Sequence, residues 1–185
     1  MVYALRNGRR VVALLSFLLL CCGVHVYAQR VAVKTNTLGW LTASPNVEAE
    51  FVLGRHISLN MGVAANPIST DNFKTTFTHF QPEVRYWLNR PMVSHFLGVT
   101  AFANNFNMLV KDVHHKGDAY AAGLTYGYAW VLGDHWNIEA TAGVGVLRYR
   151  QFKYDKGTPK PGAVNDSKTT IAPVKLGVSF VYIIR

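Results

Sequence analysis

The sequence predicts an all-β protein, an eight-stranded antiparallel up-and-down transmembrane β-barrel. Apolar and polar residues alternate with period two in eight segments, which is typical of strands whose two faces meet different surroundings. Short and long connections between these segments alternate along the chain, as in bacterial outer-membrane barrels. After residue 28 no apolar run approaches the roughly 18 residues that indicate a membrane-spanning helix.

Residues 1–28 predict a cleavable secretory signal peptide. Arg6, Arg9 and Arg10 precede an apolar stretch at residues 11–24, and small Ala28 ends the segment. This stretch is shorter than the roughly 20 apolar residues that a transmembrane helix needs. The order of basic head, apolar core and small-residue exit therefore favours export with cleavage after Ala28.

Both cysteines of the chain, Cys21 and Cys22, lie inside this leader. Lipidation is not expected, because Leu20 stands where a lipidation site favours a small residue. Cleavage leaves residues 29–185, a length suited to one domain. The mature chain then has no thiol for a disulfide or a metal site.

Alternation places the eight strands. It is clearest in two segments, where residues 138–146 and 174–184 carry apolar side chains at every even position. The predicted strands are residues 31–41, 46–53, 56–65, 77–88, 94–105, 119–132, 135–150 and 170–184.

The connections predict how the barrel is oriented. Short links are expected at residues 54–55, 89–93 and 133–134, and long loops at 66–76, 106–118 and 151–169. Only the link at 44–45 is short where a long loop is expected. Short turns belong to the periplasmic rim of such barrels and long loops to the outer rim, so both chain termini should lie in the periplasm.

Charged residues within the strands are predicted to fill the interior. The lumen of an eight-stranded barrel is just wide enough for side chains to occupy it. Three cations and four anions share the polar strand face and form a mutually compensating set: Lys34, Glu48, Glu50, Glu83, Arg85, Glu139 and Lys175. The six aspartates are expected in loops, turns or strand ends. The alternative is that the seven charges form the solvated outer face of a soluble, lipocalin-like barrel.

Aromatic residues near the strand ends favour the membrane orientation, because such residues form girdles at membrane interfaces. The girdle candidates are Trp40, Trp87, Trp130, Trp136, Tyr86, Tyr128 and Tyr182, of which Trp87 has inward parity. Arg148 and Arg150 also have lipid-facing parity and are expected to reach headgroups by snorkelling.

Two prolines, Pro82 and Pro173, fall inside predicted strands. A closed barrel has no edge strand on which a missing N–H donor is harmless. We therefore expect each proline at a β-bulge or at the outer rim.

The last strand resembles the signal recognised by the barrel-assembly machinery, with Lys175, Gly177, Phe180 and Tyr182 in the matching places. The resemblance implies insertion by that machinery. The chain continues through Ile183 to Arg185, where many such proteins end on an aromatic residue.

From Val33 onward the chain resembles the family catalogued as domain of unknown function 3575. The segments that carry the resemblance are residues 34–40, 45–48, 83–88, 123–132 and 136–145. It implies a small outer-membrane barrel, in some members encoded near fimbrial genes, and it supplies no catalytic residues.

Candidate sites for chemistry are few. His79 shares a strand face with Gln81 and Glu83, which is the basis for an alternative reading as a lipid-modifying enzyme, but its parity points into the lumen. The adjacent His114 and His115 should point apart, so no metal site is expected. No cofactor is predicted.

The predicted mature chain carries 16 basic and 10 acidic residues. In an exported protein the matching anions are outer-membrane lipid and lipopolysaccharide phosphates, so no nucleic-acid partner is expected. The preferred hypothesis is a non-enzymatic barrel in the outer membrane of a Gram-negative bacterium, with a structural role or a surface or fimbrial protein partner. The alternatives are the lipid-modifying enzyme and a soluble lipocalin-like carrier.

Overall fold

A computed structural model describes residues 30–69, 74–110, 112–159 and 161–184, so the predicted leader lies outside the described residues. Eight antiparallel strands close into one barrel in which each strand pairs with its neighbour in the chain and β1 pairs with β8. This confirms the predicted all-β class and the up-and-down order of eight antiparallel strands. Among the described residues, no helix is both long and apolar enough to cross a membrane.

The strands are β1 (Val31–Asn36), β2 (Asn46–Val52), β3 (Ile57–Ser69), β4 (Lys74–Trp87), β5 (Ser94–Val110), β6 (Val113–Val131), β7 (Trp136–Asp155) and β8 (Asp166–Ile184), and one short helix, α1 (Thr37–Leu41), follows β1. We call the end of the barrel that carries the connections after β1, β3, β5 and β7 the hairpin end. The opposite end, where β1 starts and β8 finishes, is the terminal end.

The first connection differs from the prediction. The expected strand at 31–41 ends at Asn36, because residues 37–41 form α1 instead. Asn36 caps this helix, since its side-chain oxygen accepts a hydrogen bond from the Leu38 amide over 3.0 Å. The connection to β2 therefore spans residues 37–45 and is long, whereas the sequence suggested a short link at 44–45.

The other connections at the hairpin end are shorter than the predicted loops at 66–76, 106–118 and 151–169. Strand pairing continues through most of these segments, for example between Met108 and His115, and Val110 pairs directly with Val113. Asp118, expected in a loop, lies within β6. Polar residues occupy both faces of the wall here, so the period-two pattern is lost although the hydrogen-bond ladder persists.

The two faces of the barrel wall have opposite character. Outward side chains along the middle of the wall are apolar and exposed, as at Val99 (62%), Leu124 (65%) and Val144 (56%). The inward side chains are buried and mostly polar or charged. A soluble barrel buries apolar side chains, so this arrangement is inverted with respect to water.

Pro173 lies at a β-bulge, which is one of the two positions expected for a proline inside a strand. Gly143 pairs with Lys175 and Val144 pairs with Pro173, which leaves Val174 as the extra residue of β8. The bulge turns Val174 into the barrel, where 6% of it remains exposed. The alternation over residues 174–184 predicted Val174 on the same face as Leu176; this is wrong, because the extra residue reverses the parity of the strand at this point.

Pro82 follows neither expectation. The pairing of β4 with β5 keeps the same register on both sides of it, from Phe80 opposite Ala103 to Glu83 opposite Thr100. The Thr100 hydroxyl donates a hydrogen bond to the Pro82 carbonyl over 3.0 Å. Pro82 thus interrupts the ladder within the wall, without a bulge.

Candidate functional site

The lumen is filled in layers, beginning with an apolar plug at the terminal end. Met92, in the turn between β4 and β5, packs against Ala32 and Val181 and is only 2% exposed. The Asn137 amide donates a hydrogen bond to the Met92 carbonyl over 2.6 Å. Met92 has a left-handed φ of 66° in this turn. The contact from Asn137 fixes the turn against the terminal end of the barrel.

Aromatic residues form the next layer. Trp87 and Phe96 are fully buried with ring centroids 4.7 Å apart, and Trp87 Nε1 donates to Ser58 Oγ over 2.8 Å. Trp87 therefore belongs to the lumen and not to an outward girdle.

Arg85 lies at the centre of the charged layer above these rings. Its Nε and a terminal nitrogen donate to Glu83 over 2.9 and 2.7 Å. Its other terminal nitrogen lies 3.0 Å from both Glu50 and Glu139. The guanidinium also sits 4.3 Å from the centroid of the Phe96 ring. One fully buried cation thus contacts three carboxylates and an aromatic face.

The two lysines extend the network. Lys34 contacts Glu50 and donates to Glu139 over 2.6 Å. Lys175 lies 3.0 Å from both Glu48 and Glu83. The structure thus brings together all seven predicted charges, contributed by β1, β2, β4, β7 and β8.

Neutral donors complete the shell of each carboxylate, and the sequence reasoning missed them. Ser58 donates to Glu50, and Asn60 donates to Glu48 over 2.5 Å. Thr125 and Thr141 donate to Glu83 and Glu139 over 2.5 and 3.2 Å, respectively. In the sequence these donors are recognisable only as polar residues at inward positions of a strand. That pattern does not identify which carboxylate each of them contacts.

Gly98 makes room for this packing. A Cβ atom at this position would lie 2.8 Å from Glu83 Oε1 and closer still to the Thr125 hydroxyl. Glycine therefore permits the close approach of Glu83 of β4 to Thr125 of β6 over the intervening β5.

The hairpin half of the lumen is less densely filled. A cavity of about 460 Å³ lies above the charged layer, with Glu48 and Lys175 in its lining together with amide side chains such as Asn46 and Gln81. The layers below it contain tightly packed apolar and paired charged groups. The ion pairs cross-link the strands through the lumen, and each of the seven charged groups contacts at least one group of opposite charge.

His79 lines the same cavity. Its Nε2 lies 3.4 Å from Gln81 Oε1, and its ring packs 4.9 Å from the Phe102 ring. His79 pairs with Asn104 of β5 and Ala64 of β3. Among the residues that the structure describes, neither a serine nor a carboxylate lies at hydrogen-bond distance from His79.

The adjacent histidines point apart, as expected for strand residues. His114 stacks on Tyr154 with centroids 4.9 Å apart, and His115 Nδ1 lies 3.2 Å from Gln151 Oε1. Within the described ranges no three histidine, cysteine or acidic side chains are grouped so that they could hold a metal ion.

The four residues of the proposed assembly signal divide between the faces. Lys175 and Gly177 point into the lumen, whereas Phe180 and Tyr182 are exposed on the outer wall. Recognition by an assembly machinery stays a prediction.

A family model described as "Protein of unknown function (DUF3575)" matches residues 14–184. The chain belongs to the DUF3575 family. The match includes all five strands that contribute to the ion-pair network. No curated protein and no solved structure matches this DUF3575 chain significantly.

Proposed function

We propose that this DUF3575 protein is a non-enzymatic barrel of the Gram-negative outer membrane with a closed lumen. It would be exported by the predicted leader, inserted by the barrel-assembly machinery and used as a structural or surface-interaction component. The observation that carries this proposal is the inverted barrel wall, with apolar side chains outside and paired charges within. Hydrocarbon is the environment that stabilises such an outer face.

Outward aromatic residues support the proposal. Towards the terminal end, Trp136 packs on Tyr182 and Tyr128 on Trp130, and all four face outward. Tyr120 lies outward near the hairpin end, on the same strand face as Trp130. Ten residues of tilted strand separate them, a height of about 26 Å, which suits the apolar band of an outer-membrane barrel.

The soluble carrier alternative fits the interior poorly. A lipocalin-like carrier needs an apolar lumenal cavity for its ligand. Here the core of the lumen holds ion pairs instead of a ligand cavity, and the cavity above them is lined by a mixture of apolar, amide and charged residues that includes Glu48 and Lys175. This favours a membrane barrel over a carrier.

The hairpin end offers the surface for a partner. The wall extends there beyond the apolar region and carries exposed basic residues, including Lys116, Lys153 and Lys168. A surface or fimbrial protein with acidic groups would complement this end.

Membrane fractionation tests the location. We expect the protein in the outer-membrane fraction of a density gradient, and we expect unheated protein to migrate faster than heated protein on detergent gels. Recovery in the soluble periplasmic fraction would reject the proposal.

Lipid A analysis tests the enzymatic alternative. Mass spectra of lipid A from cells with and without the gene should be identical. A new lipid A species that disappears in a His79→Ala variant would support the enzyme instead.

A further inference from the structure

An open groove of about 780 Å³ crosses the outside of the wall from β2 to β6. Its outward side chains include Trp40 at one end and Tyr120 at the other, with Val47 and Val63 between them. Thr78, Asn105 and Asp118 add polar groups at the same outward face, but the lining is mostly apolar, so the groove suits an alkyl chain better than a polar ligand.

One small residue, Ala103, lies between two aromatic side chains of this groove. Phe80 of β4, Ala103 of β5 and Tyr120 of β6 are directly paired in register, and all three face outward. An alanine between two aromatic side chains leaves a slot on the wall surface. Two residues closer to the terminal end, the outward Ala101 and Ala122 pair with each other. These small side chains leave the slot open in that direction.

Two arginines lie immediately beyond the groove. Arg148 pairs with Tyr120, and Arg150 projects from the same face of β7. Tyr120 and the two arginines line a second recess of about 290 Å³. Tyr120 therefore lines both the apolar groove and the cationic recess and separates them.

These arginines lack the carboxylate partners that the lumenal cations have. No ion pair within 4.0 Å joins either one to a carboxylate in the described part of the chain. Asp118 pairs with Arg150 in the strand register, but its carboxylate accepts a hydrogen bond from Asn105 over 2.8 Å. Two neighbouring guanidinium groups without a carboxylate partner are suited to a phosphate.

We propose that this outer wall binds the lipid A part of lipopolysaccharide, a phosphorylated and acylated saccharide. Its phosphate would lie at Arg148 and Arg150, and one acyl chain would follow the slot at Ala103. The inference rests on the proposed outer-membrane location, in which the hairpin end faces the lipopolysaccharide leaflet. Charge complementarity at the arginines and the adjoining apolar groove together select a phosphorylated amphiphile over either a free anion or a neutral lipid.

Native mass spectrometry of the full mature chain in detergent micelles tests the proposal, with bisphosphorylated lipid A, dephosphorylated lipid A and phosphatidylglycerol as probes. We expect Arg148→Gln with Arg150→Gln to weaken lipid A binding by about ten-fold or more. The matched control is Lys153→Gln with Lys168→Gln, which removes the same charge elsewhere and should leave binding within about two-fold. Dephosphorylated lipid A should bind the wild type as weakly as lipid A binds the double arginine variant.

A second variant tests the groove independently of charge. Ala103→Trp should fill the slot and weaken lipid A binding by about five-fold or more, whereas Ala142→Trp, on an outward position of β7 outside the groove, should not. Equal losses from the arginine and lysine pairs, equal affinity for phosphatidylglycerol, or full binding by folded Ala103→Trp would each overturn the proposal. A wild-type protein that fractionates with the outer membrane but fails these tests refutes the lipid A site alone, whereas a soluble wild type refutes the proposed function.

Discussion

Lys34 of β1 donates a hydrogen bond to Glu139 of β7 over 2.6 Å, although 105 residues separate them in sequence. These two strands do not pair with each other, because β8 lies between them in the wall. The contact is made by side chains that meet inside the lumen. Together with Arg85, it ties the first, second, fourth and seventh strands into one buried network.

The balance of this network predicts unequal costs for removing a cation or an anion. Arg85→Met leaves two cations facing four buried carboxylates, so we expect a loss of about 3–5 kcal/mol in the free energy of unfolding. Glu48→Gln leaves three cations and three anions and retains polar atoms for Lys175 and Asn60, so the loss should be about 1 kcal/mol. Urea unfolding in micelles, followed by tryptophan fluorescence, measures both. A larger loss for Glu48→Gln than for Arg85→Met would contradict this account.

The outward position of Leu124 predicts a dependence on the surrounding solvent. If hydrocarbon surrounds this 65% exposed side chain, Leu124→Arg should lower stability in lipid vesicles by about 2–4 kcal/mol. Leu124→Ala is the control for the lost side-chain volume. In a water-exposed wall the arginine would change stability by about 0.5 kcal/mol or less, and that result would count against the membrane location.

The filled lumen predicts negligible ion conduction. Arg85, Glu50 and Trp87 are fully buried across the interior, so no continuous aqueous path is expected past them. Recordings of the purified protein in planar bilayers should show no stable channel steps. Reproducible channels of nanosiemens size would be incompatible with a closed lumen.

The strand order predicts opposite accessibility of the two barrel ends. Val164 is exposed in the connection between β7 and β8, and Gly133 is exposed in the turn between β6 and β7. Both native cysteines lie in the predicted leader, so Val164→Cys and Gly133→Cys can each be labelled without background from a mature chain cleaved after Ala28. A membrane-impermeant thiol reagent applied to intact cells should label only Val164→Cys. Labelling of Gly133→Cys alone would show that the barrel has the opposite orientation.

Much of the wall could be predicted from the sequence because the two faces of a strand carry different residue types. The pattern located all eight strands and assigned the seven charged residues to one face. It failed where that difference vanishes. Residues 106–110 and 113–118 continue as paired strands although apolar and polar residues no longer alternate regularly there, and residues 37–41 form a helix initiated by the Asn36 cap.

Residues of the candidate sites were predictable only in part. Inward parity identified Glu83 and Arg85, but the donation from Thr125 to Glu83 depends on the register of β4 and β6 on the two sides of β5. The outer groove depends on strand register, which sets Ala103 between Phe80 and Tyr120. Neither relationship can be predicted from the spacing of residues along one strand.

The sequence by itself determined the period of each strand, and with it which side chains share a face, since successive residues of a strand point to opposite sides. Only the tertiary structure decided which residues meet. Closure of the barrel fixes the register between strands, and a single extra residue at Val174 reverses the facing of β8. Local alternation is a property of the backbone, whereas register and closure depend on pairing between segments that are distant in the chain.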